Sequence, residues 1–534
     1  MKEKSRTYNS ITNSIWGMLS ALITVVLNFA VRIFIVRALG EEINGLHNLF
    51  QNTINVMALM ETGVSSAMVI HLYEPVKNKD HNTIKKLISF YRQLYLGIAF
   101  AFLALGLIVD IFFLSSIVST TIDMKAVHIY FLFFALSFFA NYLAYYKRSI
   151  LYAEQNNRIS IMSTTISQVI FRGMAIVSAV LTHEYLYFLL FLIGEKICSN
   201  AICNIYVNKQ HPYLKKTNGI KLEKEKKQAI FKTIKPLFVN QTALTVQNSA
   251  NSILISMLLG NISIVGYYGN YQLVISTVQL LFSQMGSAFT SSFGNLATEN
   301  DKKRMYSAYR KSCFVMNSLA FICCAGFIAC IQDFIYIVFG SNFVLSFTCV
   351  LILIFNMLIY LLNIPIISVQ NAMGLHGCDA GVMIIQAVLA IACGYGAGTI
   401  WGMEGILLGL TIPTVIFTLI HKGIVISKVA FEITAYKYLK DMGSDLVKGI
   451  VIIGVVSFIC NCFPACNPIV AMLLKGIVSV IISGILIIVF SLIFTTYFCL
   501  ESLYNEYKTI TLLNSNNVEI TKEYSKHLED IIGG

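Results

Sequence analysis

Long apolar runs separated by short polar gaps recur from one end of the chain to the other. A helix that crosses a bilayer needs about 20 mostly apolar residues. Runs of that length occur about fourteen times, the first near 13–38 and the last near 469–498. The pattern predicts an all-α polytopic membrane protein of about 14 transmembrane helices. Basic residues collect in alternate gaps, the asymmetry that orients helical membrane proteins. With the amino terminus on the cytoplasmic side, 33 of the 39 Lys and Arg fall inside, and both termini are cytoplasmic. The basic start before the first run is not a secretory signal: the run is too long and more helices follow.

The longest inner gap divides the chain near its middle. The predicted units are an N-terminal six-helix bundle (1–207), a basic cytoplasmic linker (208–235) and a C-terminal six-helix bundle (236–426). A cytoplasmic loop (427–446), accessory helices 13 and 14 (447–498) and a cytoplasmic tail (499–534) follow. A weak repeat supports the two halves. Asn28, Arg32, Leu39-Gly40 and Gly45 in the first are matched by Asn248, Ser252, Leu259-Gly260 and Gly266 in the second, and Glu61-Thr62-Gly63 by Gln284-Met285-Gly286. Repeats of this kind place a substrate site between two pseudo-symmetric bundles near the midplane.

Composition changes the picture only where it excludes. Of 534 residues, 56% are hydrophobic and 12% are charged, half the charged fraction of a soluble protein, about 25%. The net charge of +12 sits in the inner gaps, so it sets topology and does not mark a nucleic-acid partner. The thirteen cysteines lie mostly in apolar runs and read as packing residues, with a disulfide in the Cys460, Cys462, Cys466 cluster the minor alternative. The nine histidines are scattered without metal-ligand spacing, and the Gly394–Gly398 run lacks the preceding strand of a nucleotide loop. No cofactor, metal site or catalytic residue is expected. An enzyme reading has little support, and a coupling ion, H+ or Na+, is left open.

Candidate chemistry lies in the ionisable groups inside apolar runs, each costing on the order of 3 kcal/mol at a helix centre. Arg32, Glu61, Arg172, Glu195 and Lys196 are such groups, whereas Asp110 and Arg148 sit nearer helix ends, where snorkelling is expected. In one reading Arg32 pairs with Glu61 and Arg172 with Glu195 to fix helix register. In the other, the arginines line a cavity and receive phosphate or pyrophosphate, which the guanidinium fork fits. Glu195 and Lys196 are about 100° apart on a helix and are not expected to share a face. Asn248, Asn251 and Gln284 supply amides suited to a sugar, or to bonding between helices, and Asn28 is a further substrate-binding candidate.

Several motifs carry a family resemblance. Arg37-Ala38-Leu39-Gly40-Glu41-Glu42, Met60-Glu61-Thr62-Gly63-Val64-Ser65-Ser66-Ala67, Leu72-Tyr73-Glu74-Pro75 and Gly266-Tyr267-Tyr268-Gly269-Asn270-Tyr271 resemble bacterial polysaccharide flippases. The likeness runs over roughly 10–345. It implies the multidrug, oligosaccharidyl-lipid and polysaccharide exporter superfamily. The implied activity is flipping of undecaprenyl-pyrophosphate-linked oligosaccharide across the bacterial cytoplasmic (inner) membrane by alternating access, for O-antigen or exopolysaccharide assembly. Membrane lipid, a polysaccharide polymerase and glycosyltransferases are the implied partners. A multidrug or cation antiporter is the main alternative, and a membrane glycan polymerase or ligase the lesser one. Ala250-Asn251 stands where related chains often carry Asp before Asn, which counts against an ion-coupling carboxylate there.

Overall fold

The computed structural model describes residues 6–61, 64–154, 156–214, 222–299, 301–375, 378, 380–462 and 467–515, and every regular element among them is helical. The main helices are α1 (Arg6–Leu39), α2 (Glu41–Met57), α3 (Val64–Lys77), α4 (His81–Val109), α5 (Met124–Tyr142), α6 (Asn157–Thr182) and α7 (Tyr185–Gln210) in the first half. The second half holds α8 (Lys224–Leu259), α9 (Ile262–Glu299), α10 (Lys302–Phe339), α11 (Phe347–Met373), α12 (Ala380–Pro413) and α13 (Lys422–Phe431). The last two are α14 (Ala435–Asn461) and α15 (Pro468–Ser515).

Eleven stretches among the described residues are long and apolar enough to span a membrane. Gly381–Phe431, at 51 residues, carries two crossings, because backbone at Gly402 (φ 59°) interrupts the helix. α2 and α3, broken by a 3-10 turn at Ala58–Glu61, and α8, whose apolar part is only Ser249–Leu259, fall short of that length. Counted so, the described residues carry twelve crossings of full apolar length against the fourteen expected. Helix boundaries depart from the sequence expectation at three places. The 208–235 linker already holds the start of α8 at Lys224, the 427–446 loop is helical except at 432–434, and α15 extends to Ser515 inside the expected tail. In each case the polar residues ride on a helix that continues beyond the apolar stretch.

α6 packs against α1 and α7, and α5 against α4 and α7, forming one bundle; α8 packs on α12 and α11 on α9 and α10, forming the other. α14 and α15 dock on α10. α2 joins the halves, touching both α8 and α9. Lipid is as apolar as the helices, so close packing and hydrogen bonds hold such a bundle, and large apolar side chains face outward. Phe112 and Leu181, 70% and 76% exposed, are examples.

The matched glycines of the repeat meet each other. α1 ends at Gly40 (φ 92°) and α8 at Gly260 (φ 62°), so both halves turn at equivalent points. A Cβ on Gly45 would stand 2.1 Å from the Ile262 carbonyl oxygen, and one on Gly266 2.7 Å from Asn44 Nδ2 and 3.0 Å from the Gly45 nitrogen. Backbone of the two halves therefore touches at the end of the bundle opposite the lysine-rich loops. Tyr267 donates to Glu41 and Ile262 N to the Ser119 carbonyl along the same seam. The end bearing the lysine-rich loops is called the basic face below.

Candidate functional site

α1 sets Asn28 and Arg32 one turn apart, and both line a cavity of about 350 Å³ in the first half together with Arg172, Glu195, Lys196, His47 and Gln51. Arg172 Nε donates to Glu195 Oε2 at 2.9 Å and its Nη1 to Asn28 Oδ1 at 2.5 Å. Lys196 Nζ reaches Glu195 Oε1 at 2.8 Å. One carboxylate thus serves two cations. Arg32 donates to Asn44 Oδ1 (2.7 Å), Asn48 Oδ1 (3.2 Å) and the Gly269 carbonyl (3.5 Å), all neutral acceptors. Three cations against Glu195 alone leave a formal surplus of two positive charges in the cavity, counting His47 as neutral.

The expected register pair of Arg172 with Glu195 is present, but that of Arg32 with Glu61 is not. Glu61 instead accepts from the Tyr95 hydroxyl at 2.9 Å and does not line the cavity. Lys196 corrects a second expectation: its flexible four-carbon stem carries the ammonium back to the neighbouring Glu195, so backbone direction did not decide the face. Arg148 and Asp110 do not snorkel. Arg148 is buried among Ser160, Thr164, Ser199 and Asn200, which accept from it at 3.1, 2.9, 2.6 and 3.2 Å, and Asp110 bonds His128 Nδ1 at 2.9 Å. Asn44, Asn48, Gln51 and His47 were missed. Their three- to four-residue spacing along α2 is the helical signal that could have found them.

A second cavity of about 500 Å³ lies within the other half, lined by Asn251, Gln272, Gln279, Asn356, Asn363 and Gln370 among others, with Lys422 and no acidic residue. Asn251 Oδ1 and Asn363 Oδ1 are buried there without a hydrogen-bond partner. Of the amides expected to meet a sugar, only Asn251 lines this cavity. Gln284 is exposed and apart from it, and the side chain of Asn248 lies outside the described residues. Gln272 and Gln279, and Asn356, Asn363 and Gln370, recur every seven residues, two helical turns, a spacing that marks one face. α9 separates the cavities, with Gln272 on one and Leu273 on the other.

Among the described residues no group of three His, Cys, Asp or Glu side chains could hold a metal ion. The described cysteines are free, and Cys466 lies outside the described residues.

Residues 34–347, well over half of the chain, match the model of a family described as polysaccharide biosynthesis protein. The chain belongs to this family. Its fold is similar to that of lipid II flippase MurJ in an inward closed conformation, at TM-score 0.64 and 15% identity, covering 92% of this chain and 100% of that one. It is also similar to a multidrug resistance MATE family transporter of the MOP superfamily. The inward-facing form gives TM-score 0.60 at 14% identity over 79% and 95% of the two chains, and the outward-facing form 0.52 at 13% over 83% and 97%. At such identities these structures show the fold alone. No curated protein matches the sequence. The resemblance found in the motifs and the family match agree.

Proposed function

We propose that the protein flips an undecaprenyl-pyrophosphate-linked oligosaccharide from the inner to the outer leaflet of the cytoplasmic membrane by alternating access, its basic face toward the cytoplasm. The observation that carries the reading is the surplus of two positive charges around Arg32, Arg172 and Lys196. A pyrophosphate diester carries two negative charges and presents the paired oxygens that guanidinium groups grip. In this reading Arg32 and Arg172 take the pyrophosphate, while Asn28 orients Arg172. Glu195 keeps Arg172 and Lys196 from overcharging the empty cavity. The neutral amides of the second cavity, Asn251 among them, accept and donate to sugar hydroxyls across α9, and the polyprenyl tail stays in lipid.

A cation antiporter would need an acidic group free to meet a drug. Glu195 already holds two cations, which favours the anionic cargo. The test uses Arg32→Gln with Arg172→Gln, reconstituted in vesicles with a fluorescent polyprenyl-pyrophosphate oligosaccharide. Loss of two charge-assisted contacts, each about 1.5–3 kcal/mol, should cut flipping at least a hundredfold, and cells should accumulate lipid-linked precursor. Undiminished flipping by the double variant, with normal membrane levels, would refute the role.

A further inference from the structure

A third cavity, about 520 Å³, opens between α10, α14 and α15, away from both cavities described above. Its polar and apolar residues are ordered along the helices. Arg310, Lys311, Asp445 and Lys448 lie toward the basic face; Phe314, Phe321, Ile452 and Ile487 lie deeper along the same helices. Arg310 begins about 12 Å into α10, at the 1.5 Å rise of a helix, the level of headgroups on that side of a bilayer.

The charges are unequal. Asp445 accepts from Arg310 Nη1 at 3.1 Å, from Lys448 Nζ at 3.4 Å and from Asn317 Nδ2 at 3.1 Å. Lys311 is exposed and has no ion pair or hydrogen bond among the described residues. Arg310, Lys311 and Lys448 line the cleft with Asp445 as its one acidic lining residue, and Asp441 stands near Arg310 on its far side, so cations outnumber carboxylates by one. Buried Asn317 Oδ1 lacks a hydrogen-bond partner, leaving an acceptor for a headgroup hydroxyl. Phe314 and Val315, 55% and 44% exposed, offer an apolar wall open to the side, which a water-soluble anion would not use and an acyl chain would.

We propose that this cleft binds an anionic glycerophospholipid of the leaflet at the basic face, its phosphate at Arg310, Lys311 and Lys448 and its chains along Phe314, Phe321 and Ile487. The lipid would brace α14 and α15 against α10, a role separate from cargo. The occupant is identified by charge together with the apolar depth beneath it.

The test is native mass spectrometry of the purified full chain, titrated with phosphatidylglycerol or with phosphatidylcholine of identical chains. Phosphatidylglycerol should be retained at roughly tenfold lower concentration, from the gain expected of lysines at an anionic lipid surface. Lys311→Gln with Lys448→Gln should erase that preference. Val315→Trp, which leaves every charge in place and narrows the cleft, should weaken both lipids. Equal retention of the two lipids overturns the proposal, and so does a preference that survives the double lysine variant. Displacement of bound phosphatidylglycerol by equimolar undecaprenyl phosphate also overturns it, by making the cleft a cargo site.

Discussion

The seam between the halves makes a quantitative prediction. At Gly45 an added methyl would stand 2.1 Å from the Ile262 carbonyl oxygen and 2.7 Å from its carbon, against 3.4 Å for the start of ordinary contact. The obstacle is backbone, so no rotamer relieves it, and α2 must part from the start of α9 by more than an ångström. Beside it, Asn48 Nδ2 donates to the Val265 carbonyl at 3.1 Å and Arg32 to the Gly269 carbonyl at 3.5 Å. Those bonds lengthen with the seam. Overpacking of this kind costs about 1–3 kcal/mol, which shifts the balance against the sealed state by roughly 5- to 150-fold. The assay is the labelling rate of Ser137→Cys, a buried residue lining the cationic cavity, by a membrane-impermeant maleimide added outside cells that express a variant otherwise free of cysteine. Gly45→Ala should raise that rate at least fivefold. Gly97→Ala, where a Cβ meets nothing within 4 Å, should leave it unchanged. If Gly45→Ala labels no faster than its parent at equal membrane level, the seam is not the outer seal and the argument fails.

Two other perturbations follow from ion pairs. Lys475 Nζ meets Asp333 at 2.7 Å between α15 and α10; Lys475→Met should cost about 3 kcal/mol by leaving an unpaired carboxylate in an apolar helix, and adding Asp333→Leu should restore the thermal midpoint, a recovery whose absence would deny the pair any part in docking α15. At the start of α8, hydrogen bonds from Lys86 and Lys226 hold the Glu223 carboxyl below its ordinary range, so this clamp on α4 is complete above the ordinary carboxylate pKa and is lost as pH falls through the depressed value. Crosslinking of Lys86→Cys to Glu223→Cys would remove the clamp itself, so amide exchange of 222–230 is the measurement: protection should be flat from pH 5 to pH 8, fall with salt because the pair is exposed, and fall equally in Glu223→Gln.

The crossings were legible because lipid imposes a length on apolar runs, and the charges between them were legible because topology sorts lysine and arginine. Arg32, Glu61, Arg172, Glu195 and Lys196 could be picked out as candidates because a charge in an apolar helix has few acceptable neighbours, and all of them but Glu61 line one cavity. Partners were harder to assign. Glu61 went to Tyr95 and Arg32 to two asparagines of α2, since in a bundle a neutral acceptor one helix away competes well with a charged one farther off. The α11 wall of the second cavity was nearly invisible. Asn356, Asn363 and Gln370 each interrupt an otherwise apolar helix, and a count of apolar residues absorbs a single amide without trace, although the spacing of seven does not occur by composition alone.

The two halves can be related by a repeat and still differ in chemistry. The residues that match between them, Gly45 with Gly266 and Gly40 with Gly260, are those that let backbones meet and turn. Where the repeat places Arg32 in one half it places Ser252 in the other, and Ser252 Oγ accepts from Asn48 and Asn52 across the seam. The serine therefore serves closure while the arginine, one turn from Asn28, serves the cavity. Arg32 also bonds Asn44, Asn48 and the Gly269 carbonyl, so under the proposed function an anion that draws its guanidinium inward would take donors away from the seam and would couple cargo binding to opening of that end.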